Sequence, residues 1–91
     1  HEAVQVAAAL VFRSGKDWFY PYYRDMALVC GLGGSTKDLL LNVMNKAEDP
    51  HSHGRQMPMH YGDRRMNIVS QSSPTGSQFN FILACKKIIL M

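Results

Sequence analysis

The residues with chemistry to offer fall in two stretches, Tyr22-Tyr23-Arg24 and Ser72-Ser73-Pro74-Thr75-Gly76-Ser77-Gln78, with His60 between them. Tyr22 and Tyr23 supply hydroxyls and Arg24 a planar fork of donors, a set suited to a phosphate or a carboxylate. The serine-rich turn can aim hydroxyls and carbonyls inward, towards a hard monovalent or divalent cation or a polar ligand. Taken alone, its first reading is a turn that caps a helix. His60, between Met59 and Tyr61, is expected in a partly apolar pocket where an imidazole can titrate or donate near neutral pH. His51 and His53 read as exposed loop residues. Without closely spaced cysteines or carboxylates, the three histidines do not compose a zinc site. The GLGGSTK run from Gly31 fails as a phosphate loop, because the dinucleotide fingerprint needs a glycine where Thr36 stands and GxxxxGK[ST] is absent. It reads as a turn feeding a helix cap.

These residues need elements to hold them. Gly54 to Gln78, GRQMPMHYGDRRMNIVSQSSPTGSQ, has neither a sustained helical period nor strand alternation, and stretches of that kind in a compact domain usually bind something. Met57, Met59, Tyr61, Met66, Ile68 and Val69 give it apolar anchors, so an ordered binding loop is expected. Ahead of it, His1–Arg13 reads as a helix, apolar nearly all round, with Glu2, Gln5 and Arg13 as polar relief. Such a helix is expected to be buried on most faces, and Ser14–Gly15 stops it. Asp17–Asp25, DWFYPYYRD, is strand-like or irregular, since Pro21 pushes Tyr20 towards extended geometry; an aromatic plug in the core competes with the anion-binding account of Tyr22, Tyr23 and Arg24. Met26–Leu32 is a short apolar helix. Ser35 caps the next one, with Asp38 approximating a capping box. Leu39, Leu40, Val43, Met44 and Ala47 form its apolar stripe, Lys37, Asn42 and Lys46 face out, and Glu48-Asp49-Pro50 ends it. Phe79–Met91 is a short helix or a strand around Ile88–Met91. The fold class expected is mostly α, with long ordered loops and at most one or two short strands.

With 91 residues, 46% hydrophobic and 19% charged, the chain is one small domain, marginal alone but generously apolar. That surplus points to a partner subunit or to further chain. The sequence starts inside a helix without an initiator Met, so a fragment is expected. The net charge of +3 permits a polyanion, yet only Arg64–Arg65 and Lys86–Lys87 are adjacent, and no basic stripe for nucleic acid exists. Cys30 and Cys85 are expected as buried free thiols in a reducing compartment, with a disulfide as the alternative. No signal segment or membrane-spanning apolar run is seen.

Four blocks stand in order: HEAVQVA, FYPYYRD, GRQMPMHYG and SSPTGSQ. Together, over residues 1 to about 78, they closely resemble the alpha subunit of the thiamine diphosphate-dependent, decarboxylating component of 2-oxo acid dehydrogenase complexes. The branched-chain (2-oxoisovalerate) type is nearest. The resemblance implies that residues 1–78 are the N-terminal part of an α/β thiamine diphosphate-binding fold. It implies that Tyr23 and Arg24 hold the cofactor's diphosphate and that Ser73 lies against the cofactor. Ser72, Pro74, Ser77 and Gln78 fall on positions that wrap a potassium ion; the family more often has Thr where Ser77 stands. Arg55 and His60 are placed near the active-site entrance, as candidate catalytic residues without an assigned step. The implied reaction is attack of the thiazolium ylide on a 2-oxo acid carbonyl, loss of carbon dioxide and acyl transfer to a lipoyl arm. The implied partners are a beta subunit, a lipoyl-bearing acyltransferase and the 2-oxo acid, in bacterial cytoplasm or the mitochondrial matrix.

The family's magnesium ligands, a Gly-Asp-Gly motif and an asparagine pair, do not follow SSPTGSQ here. Residues 79–91 are therefore expected to be an atypical tail, truncated or frame-shifted, and the chain alone is expected to bind cofactor weakly or not at all. Two alternatives compete: a pyruvate-type alpha subunit, which shares these blocks, and a small basic module binding nucleic acid or another anionic partner through the aromatic run and Arg64–Arg65.

Overall fold

The computed structural model describes residues 1–70 and 73–89, with side chains through Ala84. Among these, four helices appear in order: α1 Glu2–Val11, α2 Met26–Gly31, α3 Thr36–Val43 and α4 Ser77–Ile89, with one 3-10 turn at Arg64–Met66. Extended structure is limited to isolated bridges, Phe19 with Ile68 in parallel and Asp63 with Ile68 antiparallel. The fold is thus mostly helical with long ordered loops, as expected from the sequence. The helical alternative holds for Phe79 onward, as far as Ile89.

α1 and α2 pack together, but through a contact opposite to the one expected. Gln5 is the one buried residue of α1. Its amide oxygen accepts from Leu28 N at 3.4 Å and its amide nitrogen donates to Asp25 at 3.2 Å. Gln5 thereby serves one of the N–H groups that the first turn of α2 leaves without a helical partner. Val4, Val6, Leu10 and Val11 are exposed instead. Burial on most faces is therefore corrected: this chain packs only one narrow side of α1, where Gly31 lets Ala9 come close.

Ser35 caps α3, its hydroxyl accepting from Asp38 N at 3.4 Å. The helix ends at Val43 rather than at Glu48, because Asn45 takes a left-handed φ of 52°. Its stripe is also corrected. Leu39 is buried, but Leu40, Val43 and Met44 are exposed, while Asn42, expected to face out, is 1% exposed.

The core gathers Phe19, Val29, Leu32, Leu39, Met59, Tyr61, Met66 and Ile68. Half of these come from the loop beyond Gly54, so four of its six predicted anchors are buried; Val69 is half-buried and Met57 exposed. Phe19 supports the core-plug reading at one position, while Trp18 beside it is exposed. Cys30 is exposed and free, which corrects the buried-thiol expectation: Val29, not its neighbour, takes the inward position of α2. The side chain of Cys85 lies outside the described residues. No described helix is long and apolar enough to cross a membrane.

Candidate functional site

The Tyr22–Asp25 segment folds into a turn. Asp25 N donates to Tyr22 O at 2.9 Å, and the Asp25 carboxylate accepts from Tyr22 N at 2.8 Å. Tyr23 and Arg24 sit at its two central positions; Arg24 is exposed, while Tyr23 is half-buried and packs against the core. The Tyr22 and Tyr23 ring centres are 4.1 Å apart, and Arg24 Cζ lies 5.4 Å from the Tyr23 ring centre, a cation–π contact. Asp25, the nearest acid in sequence, is spent on Gln5 and Tyr22. Among the described residues no carboxylate pairs with Arg24.

The loop brings His60 to this turn. Its ring stacks on Tyr23, with centres 5.1 Å apart and planes 20° from parallel. Nδ1 lies 2.9 Å from Pro58 O and Nε2 lies 2.8 Å from Ser73 Oγ. Thr75, two residues on, reaches Tyr22 OH at 3.4 Å. The Thr75 bond lowers the Tyr22 pKa from its ordinary value, while the bond to Tyr22 raises that of Tyr23. Tyr23, Arg24, His60 and Ser73 therefore form one surface group, although Tyr23 and Ser73 stand far apart in sequence.

His60 is held by residues that sequence reasoning missed. Met59, buried beside it, has a left-handed φ of 65°, which costs free energy for a side chain bearing Cβ. Its N–H donates to Asn42 Oδ1 at 2.7 Å, and Asn42 Nδ2 donates to buried Asp49 at 2.9 Å. Asp49 also accepts from His51 N, Ser52 N and the Ser52 hydroxyl. A signal existed: Asn42 follows Leu39 by three residues, on the buried side of α3.

The remaining candidates sit elsewhere or unjoined. Arg55 is exposed, and among the described residues no hydrogen bond or ion pair joins its side chain to the Tyr23–His60 group. In the serine-rich turn, Ser77 Oγ donates to Pro74 O at 2.9 Å, and Gln78 is half-buried. Ser72 lies outside the described residues. His51 does not match the exposed-loop reading, since it is half-buried and stacked on Tyr61 at 3.9 Å. His53 is exposed, with Nδ1 at 3.1 Å from Ala47 O. With each imidazole committed to different neighbours, no set of three His, Cys, Asp or Glu among the described residues could hold a metal ion.

A separate cavity of about 190 Å³ is lined among others by Ser35, Asp38, His51, Tyr61, Asp63 and Arg65. Tyr61 is fully buried, and its hydroxyl has no partner among the described residues. Burial pushes the Tyr61 pKa up, with nearby acids adding to it. Burial also opposes ionisation of Asp63, but bonds from Arg65, one at 2.8 Å, prevail and hold its carboxyl below the usual range.

Residues 1–88 match the family described as "Dehydrogenase E1 component", and the chain belongs to that family. Its relatives narrow the class. It is 47% identical over 77 residues to the 2-oxoisovalerate dehydrogenase subunit alpha of Bacillus subtilis (strain 168), a match covering 85% of this chain and 23% of that protein. It is 32% identical to the mitochondrial 2-oxoisovalerate dehydrogenase subunit alpha 1 of Arabidopsis thaliana, over 85% of this chain and 16% of that protein. It is 33% identical to the mitochondrial alpha subunit of the same name from Caenorhabditis elegans, over 69% of this chain and 14% of that protein. The chain thus spans less than a quarter of these relatives.

Proposed function

We propose that this chain forms part of the cofactor site in the alpha subunit of a 2-oxoisovalerate-type dehydrogenase, with Tyr23, Arg24 and Ser73 gripping the diphosphate of thiamine diphosphate. The observation that carries this reading is the meeting of Tyr23, Arg24, His60 and Ser73 across the Tyr23–His60 stack and the His60–Ser73 bond. The group fits an acceptor-only ligand: a guanidinium with no carboxylate partner among the described residues, with tyrosine hydroxyls and the exposed Ser73 hydroxyl beside it. When bound, thiamine diphosphate supplies the carbanion that attacks a 2-oxo acid's carbonyl carbon. The chain's own part is to place it: Arg24 neutralises charge, Tyr23 supports the guanidinium from below, and Ser73 sets orientation.

The Pro74 carbonyl and the Ser77 hydroxyl are oxygen donors of the kind potassium takes, and with Ser72 and Gln78 they would form its cage. Magnesium would be held by chain outside these residues. The exposed apolar faces of α1 and α4 fit cover by a beta subunit or by further chain. Acyl transfer to a lipoyl domain, and a bacterial cytoplasmic or mitochondrial setting, follow from the same reading.

The test compares thiamine diphosphate affinity in the assembled alpha–beta component with and without Arg24→Ala. A lost charge-assisted bond is worth about 1.5–3 kcal/mol, so the dissociation constant should rise about 10- to 100-fold. An unchanged constant would sink the assignment of Arg24. The isolated chain should bind the cofactor only weakly, and micromolar affinity in calorimetry would contradict that.

A further inference from the structure

His60 and Ser73 are held so that the geometry decides which of them carries the shared hydrogen. The Pro58 carbonyl, 2.9 Å from Nδ1, can only accept, so Nδ1 bears a hydrogen. A neutral imidazole has a single N–H, and it is used there. Nε2 is then a bare lone pair, 2.8 Å from Ser73 Oγ, and Ser73 donates its only hydrogen to it. What Ser73 offers outward is lone pairs, the wrong polarity for an anion. Once the ring takes a second proton, Nε2–H becomes the donor to Ser73 Oγ, and the serine hydrogen is released towards solvent.

We propose that anion capture by Ser73 is coupled to protonation of His60, the ring's second proton reversing the His60–Ser73 hydrogen bond and converting the serine into a donor. This rests on the reading of Tyr23, Arg24 and Ser73 as an anion site. One proton is drawn from solvent for each anion held; it forms an N–H bond at Nε2, and no other covalent bond changes. The groups facing His60 are Tyr23, stacked on it, with Tyr22 against Tyr23 and Arg24 5.4 Å from the Tyr23 ring centre. From the serine-rich turn come the hydroxyls of Ser73 and Thr75. Among the described residues no carboxylate lies within 4.0 Å of a His60 nitrogen. The charge of a bound anion and hydrogen-bond polarity then act in the same direction, which makes His60 a positioning residue that works through Ser73.

Nitrogen NMR of the His60 ring in this chain, titrated with sulfate, tests the coupling. Sulfate keeps its charge across the range of about pH 5 to 8 in which imidazoles commonly titrate, so any proton taken up is the protein's. Without sulfate, the neutral ring should be the Nδ1–H tautomer. Sulfate should move the His60 titration to higher pH, and its affinity should fall by up to about tenfold per pH unit above that midpoint. In Ser73→Ala the movement should be smaller, because only charge remains. In His60→Gln, whose amide can donate at every pH, sulfate binding should lose its pH dependence. An Nε2–H tautomer, or an equal movement in Ser73→Ala, overturns the coupling and leaves the anion site standing. Sulfate that perturbs none of Tyr23, Arg24 and Ser73 at any pH removes both.

Discussion

Asp49 accepts four hydrogen bonds, from Asn42 Nδ2, His51 N, Ser52 N and Ser52 Oγ. Burial works against its charge, but those donors outweigh burial and hold its pKa at about 2, below the ordinary 3.8. Because the folded value is depressed, its contribution is complete above the ordinary value and vanishes as pH falls towards about 2; the shift corresponds to about 2 kcal/mol. Acid unfolding followed by circular dichroism should show this loss, and Asp49→Asn should abolish that part of the pH dependence. The same variant turns an amide N–H towards donors, and should cost about 2 kcal/mol in denaturant melts at neutral pH. Tyr61 is the opposite case. Its hydroxyl is buried without a partner among the described residues, so Tyr61→Phe should leave stability unchanged or raise it by about 1 kcal/mol. A marked loss would mean the hydroxyl has a function in the cavity.

At the scale of elements, the α1–α2 pair shows which parts of the sequence were legible. The presence and order of the helices, the Ser35 cap and four of the six loop anchors follow from spacing and composition, while the end of α3 and the placing of Met57 do not. The direction of α1 could not be read that way. Its apolar residues are so numerous that the period does not select a face, and the contact is decided by one polar side chain meeting unpaired amides of α2. Asn42 misled for the same reason: polarity argues for solvent unless a buried acid such as Asp49 is there to meet it. The residues proposed to hold an anion were legible by resemblance and by side-chain type, whereas the supports of His60 were not, since they depend on a backbone turn at Met59. Gly31→Ala should separate the two helices, because a methyl there would sit 2.5 Å from Ala9 Cβ. A loss of about 1–3 kcal/mol in melting experiments is expected, with Tyr23 resonances shifted along with those of α1.

The molecule as a whole is elongated, 41 × 26 × 23 Å, with much of its apolar surface outside the core. Leu10 is 83% exposed and Phe79 71%. Faces of this kind usually meet another surface, and in isolation they should drive self-association. Leu10→Glu should reduce association in sedimentation experiments while leaving the melting temperature within about 2 °C, since the side chain contributes little to this chain's core. The segment leading into the Tyr22–Asp25 turn and the stretch that follows His60 are joined through the Phe19–Ile68 bridge, where Phe19 N donates to Asn67 O and Val69 N to Phe19 O, each at 3.0 Å. So few bonds across so long a stretch of chain form only after the intervening segments have collapsed. Deuterium uptake at the Phe19 and Val69 amides should therefore proceed in step, timing how often these two segments part while the surrounding helices stay intact.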